Sequence, residues 1–425
     1  MSRPIIQVNE KVGFLKGLPL SFQHLFAMFG ASILVPMLFG ISPAIVLLMN
    51  GIGTLIYLIV CKGKAPAFLG SSFAFISPTN AVMAAVGVGG FTVALGGFVV
   101  VGVCFMLVAL LVKLVGIKWI DVVLPAATMG PVVALIGLDL SGVAAGMAGL
   151  LPASGTSMDM KVVAVSMITL AIAVFGSVLF RKFLGAIPIL IAIVAGYLIA
   201  IPFGLVNFAP VAAAPLFALP NFSFPVFKLD MILIILPAAL VVISEHIGHL
   251  IVTGNIIGKD LTKDPGLHRS LFSDGISTTL SGFFGSVPTT TYGENIGVMA
   301  ITRVYSVRVI GGAAVISIIL AFSGTLSAIL QSIPVAVMGG VSMLLFGVIA
   351  ASGIRMLVEA RVDYSKAKNL MLTAVVFTVG ISKAAIPVGK ASLSGMTLAT
   401  IVGMVLSLIF WGLEKLRLTN DLDSQ

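Results

Sequence analysis

Charge is what this chain has least of: only 9% of its 425 residues are charged, against 59% hydrophobic, and the mean hydropathy is +1.20. A water-facing surface cannot be built from that composition, which excludes an ordinary soluble protein. Cysteine is nearly absent too. Cys61 and Cys104, the 2 that occur, sit in or beside apolar runs with no pairing pattern, so they read as packing residues and exclude a disulfide framework. The chain has 4 histidines, and no HExxH, aspartate-rich repeat or Cys/His ligand set. A membrane-embedded enzyme would need such a set or a nucleophile, so neither an enzyme nor a cofactor is expected.

Long apolar runs take the place of what is missing. Stretches of roughly 20 residues, enough to cross a hydrocarbon core of about 30 Å, recur along the whole length, about fourteen in all. The clearest cover 22–38, 43–60, 91–111, 162–179, 186–203, 231–251, 310–322, 335–351, 370–381 and 396–410. Weaker ones at 68–86, 121–138, 271–286 and 292–302 are interrupted by Gly, Pro, Ser and Thr. The chain is therefore expected to be an all-α polytopic membrane protein whose solvent is the lipid bilayer. Residues 1–17 carry charges and no compact apolar region before a cleavage site, so the first span is expected to be retained.

The formal net charge of +9 does not point to nucleic acid once the spans are laid out. With the N-terminus inside, only Lys161, Lys228, Lys383 and Lys390 of the 24 Lys and Arg fall outside. That asymmetry obeys the positive-inside rule, requires an even number of spans and puts both termini in the cytoplasm.

Two halves of the chain echo each other. Gln23-His24 in "SFQHLFAMFGASILVP" aligns with Glu245-His246 in "ISEHIGHLIVTGNIIG", and "FLGSSFAF" at 68–75 aligns with "FFGSVPTT" at 283–290. Seven spans per half, an odd number, would insert the second half upside down, the inverted-repeat plan of secondary transporters. Pro78 and Pro288 break the corresponding weak segments. Non-helical backbone at membrane depth is tolerated only where protein or a wet cavity lines it, so these segments point to a midplane binding site.

Glu245 and His249 stand four apart in an apolar run and share one helix face, where they can hydrogen-bond. A lone membrane histidine is more often packing, but an acid and an imidazole on one face cost roughly 2.5 kcal/mol or more to insert and mark function. His246 points about 100 degrees away and is the weaker candidate. Glu294 follows the second interrupted segment, among Thr289 to Thr291, Tyr292, Gly293 and Asn295. Either glutamate can exchange a proton or accept a ring N–H. Phe73 could stack on a planar ligand, although a phenylalanine in a span is usually packing. Asp139 and Asp274 read as span-end or interfacial acids.

The stretch "ENIGVMAITR" at 294–303 resembles the signature of the nucleobase-ascorbate transporter family, and Gln23-His24 resembles that family's Gln-His motif. "GSSFAFISP", "EHIGHL" and "DPGLHRS" extend the similarity over nearly the whole chain. Glu in place of Gln at the head of the signature favours the pyrimidine branch over xanthine and urate carriers. The resemblance implies fourteen spans in two inverted seven-span repeats, with short strands in interrupted spans 3 and 10. It implies a core domain (18–118 and 229–330) and a gate domain (119–228 and 331–413), between cytoplasmic ends at 1–17 and 414–425. It implies proton-coupled uracil uptake across the bacterial cytoplasmic (inner) membrane by alternating access, and a homodimer. Carried over by match, Glu245 and Glu294 would contact uracil, with Phe73, Gly293, Tyr292 and Ala31 completing the pocket and His249 coupling protons through Glu245. Phe346 departs from the pattern, which has a tyrosine there, so a gate-side hydroxyl is missing. The alternatives are a carrier of another nucleobase, xanthine or thymine, and an anion transporter of similar fold.

Overall fold

The computed structural model describes residues 5–152, 155–181, 183–382, 384–389 and 391–420. Arg3, Lys182, Lys383 and Lys390 of the charge distribution, and parts of the two terminal segments, lie outside the described residues. The chain is mostly helical and polytopic. Among the described residues eight helical segments are long and apolar enough to cross a membrane, and four shorter apolar ones accompany them.

The first half opens with α1 (Phe14–Ala27) and α2 (Phe29–Phe39), then α3 (Pro43–Val60). Gly40 ends α2 in the left-handed conformation that glycine adopts without strain. Ser42 caps α3, its hydroxyl accepting from the Ala44 N–H at 3.3 Å, and Pro43 fills the first turn, where its missing donor costs nothing. After strand β1 (Leu69–Ser71) and a single 3-10 turn at Phe73–Phe75 come α4 (Ile76–Val86) and α5 (Gly90–Val115). There follow α6 (Lys118–Val123), α7 (Ala126–Asp139), α8 (Ser141–Met147), α9 (Met160–Leu179), α10 (Pro188–Ala200) and α11 (Ala209–Ala213).

The second half runs through α12 (Leu229–Ile235), α13 (Pro237–Ile257) and α14 (Leu267–Phe284) to strand β2 (Thr289–Thr291) and α15 (Gly293–Thr302). It continues with α16 (Val307–Ala321), α17 (Gly324–Gln331), α18 (Val335–Glu359) and α19 (Ala367–Ile381). A hairpin of β3 (Ala385–Val388) and β4 (Ala391–Ser394) leads into α20 (Gly395–Lys415).

Helix packing divides into two sets. In one, α5 lies along α14, α14 along α3, α3 along α16 and α16 along α1; in the other, α7 lies along α18, α18 along α9, α9 along α10, and α19 along both α7 and α20. With lipid tails as apolar as leucine, helices associate by close approach, which small residues permit. A Cβ on Gly275 of α14 would stand 2.7 Å from the Gly102 carbonyl oxygen of α5, and one on Gly353 of α18 would stand 2.5 Å from that of Gly130 in α7.

Strands β1 and β2 come from the two interrupted segments and pair antiparallel, Gly70 opposite Thr290. Thr290 lies five positions beyond Gly285, the residue that the sequence echo sets against Gly70. Gly285 instead ends α14 with φ +87. The echo caught the glycine-serine pair common to both segments, whereas the structure pairs the residues whose backbone bonds must be satisfied across the midplane.

Candidate substrate site

The paired strands bring two helix starts together. Pro288 and extended backbone at Ser72 and Tyr292 stop the preceding runs, so the Phe73 turn and α15 begin immediately after the strands; Pro78, expected to break its segment, sits instead in the first turn of α4, where a missing N–H costs nothing. The Ser72 N–H donates to the Pro288 carbonyl at 2.9 Å and the Tyr292 N–H to that of Phe68 at 3.1 Å, extending the ladder at both ends.

Glu294 occupies the first turn of α15, where free N–H groups and the helix dipole favour an acid. Glu245 projects from the middle of α13. Helix α13 packs against both α15 and β2, so the two glutamates flank the same strand, and both side chains are half-buried. His249 does not bond to Glu245 among the described residues. Its Nδ1 lies 3.2 Å from the hydroxyl of Thr291 in β2, a contact that the interdigitation of α13 with the strand allows and the one-dimensional spacing could not reveal. The other ring nitrogen faces Gly293: a Cβ there would stand 3.2 Å from His249 Nε2.

Tyr292 is buried and donates its hydroxyl proton to the Ser71 carbonyl at 3.2 Å. Its ring packs directly against Gly70, where any side chain would collide with it. Phe73 is half-buried at the start of the facing turn, its ring edge-on to that of Phe346 in α18 at 5.9 Å. Ala31 of α2 is buried in the same apolar cluster as Tyr292, against which Phe73 also packs. The structure thus places Glu245, Glu294, His249, Gly293, Tyr292, Phe73 and Ala31 around the paired strands. Beside Phe346 a cavity of about 130 Å³ is lined by Gly137, Leu138, Ser141, Ala144, Met343, Gly347 and Ala350.

Two features escaped the reading of the sequence. The Gln-His motif and the 294–303 signature touch: His24 Nδ1 lies 2.9 Å from Asn295 Oδ1, and Asn295 Nδ2 donates to the His24 carbonyl at 3.2 Å. Both motifs were visible, but nothing in one dimension linked them. Asp274 is not interfacial. It is fully buried within α14, 3.2 Å from His246 Nδ1, because the face of α14 that carries it packs inward against α13. Asp139 ends α7, half-buried beside Gly395 at the start of α20.

A polytopic helical bundle with two half-buried carboxyls beside two broken segments is the plan of a transporter rather than an enzyme. The chain matches the Permease family (Xan_ur_permease) over residues 15–389 and belongs to it. That membership bears out the resemblance read from Gln23-His24 and the signature. The chain is 59% identical over 420 residues to the uracil permease of Escherichia coli (strain K12), covering 98% of this chain and 96% of that one. It is 58% identical over 424 residues to the uracil permease of Paenibacillus larvae, covering 99% and 100%. Among solved structures, murine Slc26a9, an anion transporter in the inward-facing state, superposes with a TM-score of 0.72 at 12% identity, over 95% of this chain and 69% of that one. That likeness concerns the fold.

Proposed function

We propose that this protein carries uracil together with protons across the bacterial cytoplasmic (inner) membrane by alternating access. The observation that carries the reading is the presence of two half-buried carboxyls, Glu245 from mid-helix and Glu294 from a helix start, on helices that flank one pair of strands within the bundle. Two acceptors so placed suit the two ring N–H groups of a pyrimidine base, and Tyr292 and Phe73 offer flat apolar surface for its ring. The relatives named as uracil permeases, similar over nearly their whole length, support the same substrate.

In this reading Leu267–Phe284 and Gly293–Thr302 join the eight long and four shorter apolar helices to make fourteen spans in two inverted repeats, with both termini cytoplasmic. Residues 18–118 and 229–330 form the core domain, and 119–228 and 331–413 the gate. The two domains rock against each other around the site, and the protein works as a homodimer. Glu245 binds the proton that favours the substrate-competent form, and His249 assists it; Glu294 accepts a ring N–H, and Gly293 and Ala31 leave room for the ring. Two membrane carboxyls repel anions, which disfavours an anion substrate despite the shared fold.

Uptake of labelled uracil into proteoliposomes, with and without an inward proton gradient, tests the proposal. Accumulation driven by the gradient and competed by pyrimidines is expected. Absence of uracil uptake, with transport of xanthine, thymine or an anion in the same vesicles, would overturn the substrate.

A further inference from the structure

Behind the two glutamates lies a second polar assembly that the transport reading leaves unused. His246 and Asp274 are both fully buried, with Nδ1 of the ring 3.2 Å from a carboxyl oxygen. On its other side the ring's Nε2 lies 2.6 Å from the hydroxyl of Ser270, which in turn lies 3.0 Å from that of Tyr57 in α3. Ser270 and Asp274 stand four apart on α14 and present one face. The consistent assignment has Tyr57 donating to Ser270 and Ser270 to Nε2, which leaves Nδ1–H on the side of the carboxylate, at ion-pair distance rather than in an aligned hydrogen bond. Strand β2 is tied to the same helix, Thr278 of α14 accepting from the Thr289 N–H at 3.2 Å, and this brings the hydroxyl of Thr290, the middle residue of β2, within reach of the Asp274 carboxyl without an aligned hydrogen bond between them.

Each contact reaches one of the two glutamates along a short stretch of chain. His246 follows Glu245 directly on α13, about 100 degrees round the helix, so a ring held against α14 fixes the rotation of α13 and with it the direction of Glu245. Thr290 precedes Glu294 by four residues, along a strand whose other partner is β1. A buried carboxyl without partners is costly, which drives it to keep both contacts. We propose that Asp274, acting through His246 and Thr290, is a positioning residue that holds Glu245 and Glu294 at the separation a ligand requires. This rests on the reading that those two glutamates bind the substrate.

The test compares wild type with Asp274→Leu, Asp274→Asn and His246→Gln in proteoliposomes, measuring KM and Vmax for uracil, and the melting temperature of each purified protein. Asp274→Leu is expected to raise KM about tenfold or more with Vmax largely kept, the amide of Asp274→Asn to restore most of the affinity, and His246→Gln to fall between. An unchanged KM in Asp274→Leu, or in His246→Gln should the leucine variant not fold, overturns the proposal. So does a loss in Asp274→Asn as large as in Asp274→Leu. A readout without substrate separates this inference from the functional reading. Spin labels at Asn255 of α13 and Ile301 of α15, both exposed, in a Cys61→Ser, Cys104→Ser background, are expected to give a broader distance distribution in Asp274→Leu and not in Asp274→Asn. An unchanged distribution overturns the positioning role, whereas wild-type protein that takes up no uracil overturns the substrate and leaves the spin-label distances to decide the positioning role.

Discussion

Phe73 and Phe346 meet edge to face, ring centroids 5.9 Å apart and planes at 85°. One opens the turn after β1 and the other lies in α18, so this contact joins the two packed sets of helices at the edge of the site. Such a pair adds about 0.5–1.5 kcal/mol beyond its burial. It also places Phe346, where the resemblance leads one to expect a tyrosine, directly on the ring of Phe73, a proposed site residue.

Phe346→Ala is expected to lower stability by about 3 to 5 kcal/mol, as for a buried aromatic cut back to alanine beside an existing cavity. It should raise KM as well, since Phe73 loses its support. Melting curves and uptake check both; a stable variant with unchanged KM would detach Phe346 from the site.

Gly293→Ala puts a methyl group 3.2 Å from His249 Nε2, so the ring must give and its contact with Thr291 must lengthen. Uracil affinity is expected to fall about tenfold, with little change in melting temperature. Gly70→Ala should be worse, because the displaced group is the buried Tyr292 ring, pinned by its bond to Ser71. Equilibrium binding measures each, and equal affinities in both variants would contradict the geometry.

Glu245→Gln keeps the local shape but removes the proposed proton site. Uracil exchange across vesicles without a gradient should persist while gradient-driven accumulation disappears. Glu294→Ala, which deletes an acceptor, should abolish binding in both assays. Full, uncoupler-sensitive accumulation by Glu245→Gln would show that protons enter elsewhere.

With the inside pH held, raising the outside pH of wild-type proteoliposomes should slow uracil uptake, because in the proposed symport the proton loads from the side that supplies the substrate. The same titration on Glu245→Gln should be flat. Tracer flux at a clamped membrane potential supplies the measurement.

Asn295→Ala removes the clasp between α1 and α15. Its two contacts with His24 are buried, so stability should fall by about 1 to 3 kcal/mol, the usual cost of stranding a buried polar partner. A denaturation series in detergent checks this, and an unchanged midpoint would mean that His24 finds another partner.

Class, membrane environment, candidate acids and broken segments were all legible in one dimension, because each depends on local composition. A carboxyl inside an apolar run stands out whatever the fold does around it, and Pro288 ahead of β2 disfavours a continuous helix there, although Pro78 proves to sit in the first turn of α4, where proline is tolerated. Partners were not legible. His249 sharing a helix face with Glu245 suggested a bond between them, yet the ring turns to Thr291, 42 positions away in sequence. Asp274 looked like the end of a span because Ser and Thr surround it, and those residues prove to be the buried lining of an inward face.

The sequence by itself determined that this chain lives in a bilayer, that it is built for passage rather than catalysis, and that Glu245 and Glu294 are the acids to propose for its site. Only the tertiary structure decided that Gly70 faces Thr290, that His24 holds Asn295, that Asp274 backs His246 and that Phe346 rests on Phe73. The division has one physical cause. Transfer into lipid is set residue by residue, whereas a buried hydrogen bond or ring contact is set by which helix faces meet, a property of the whole bundle.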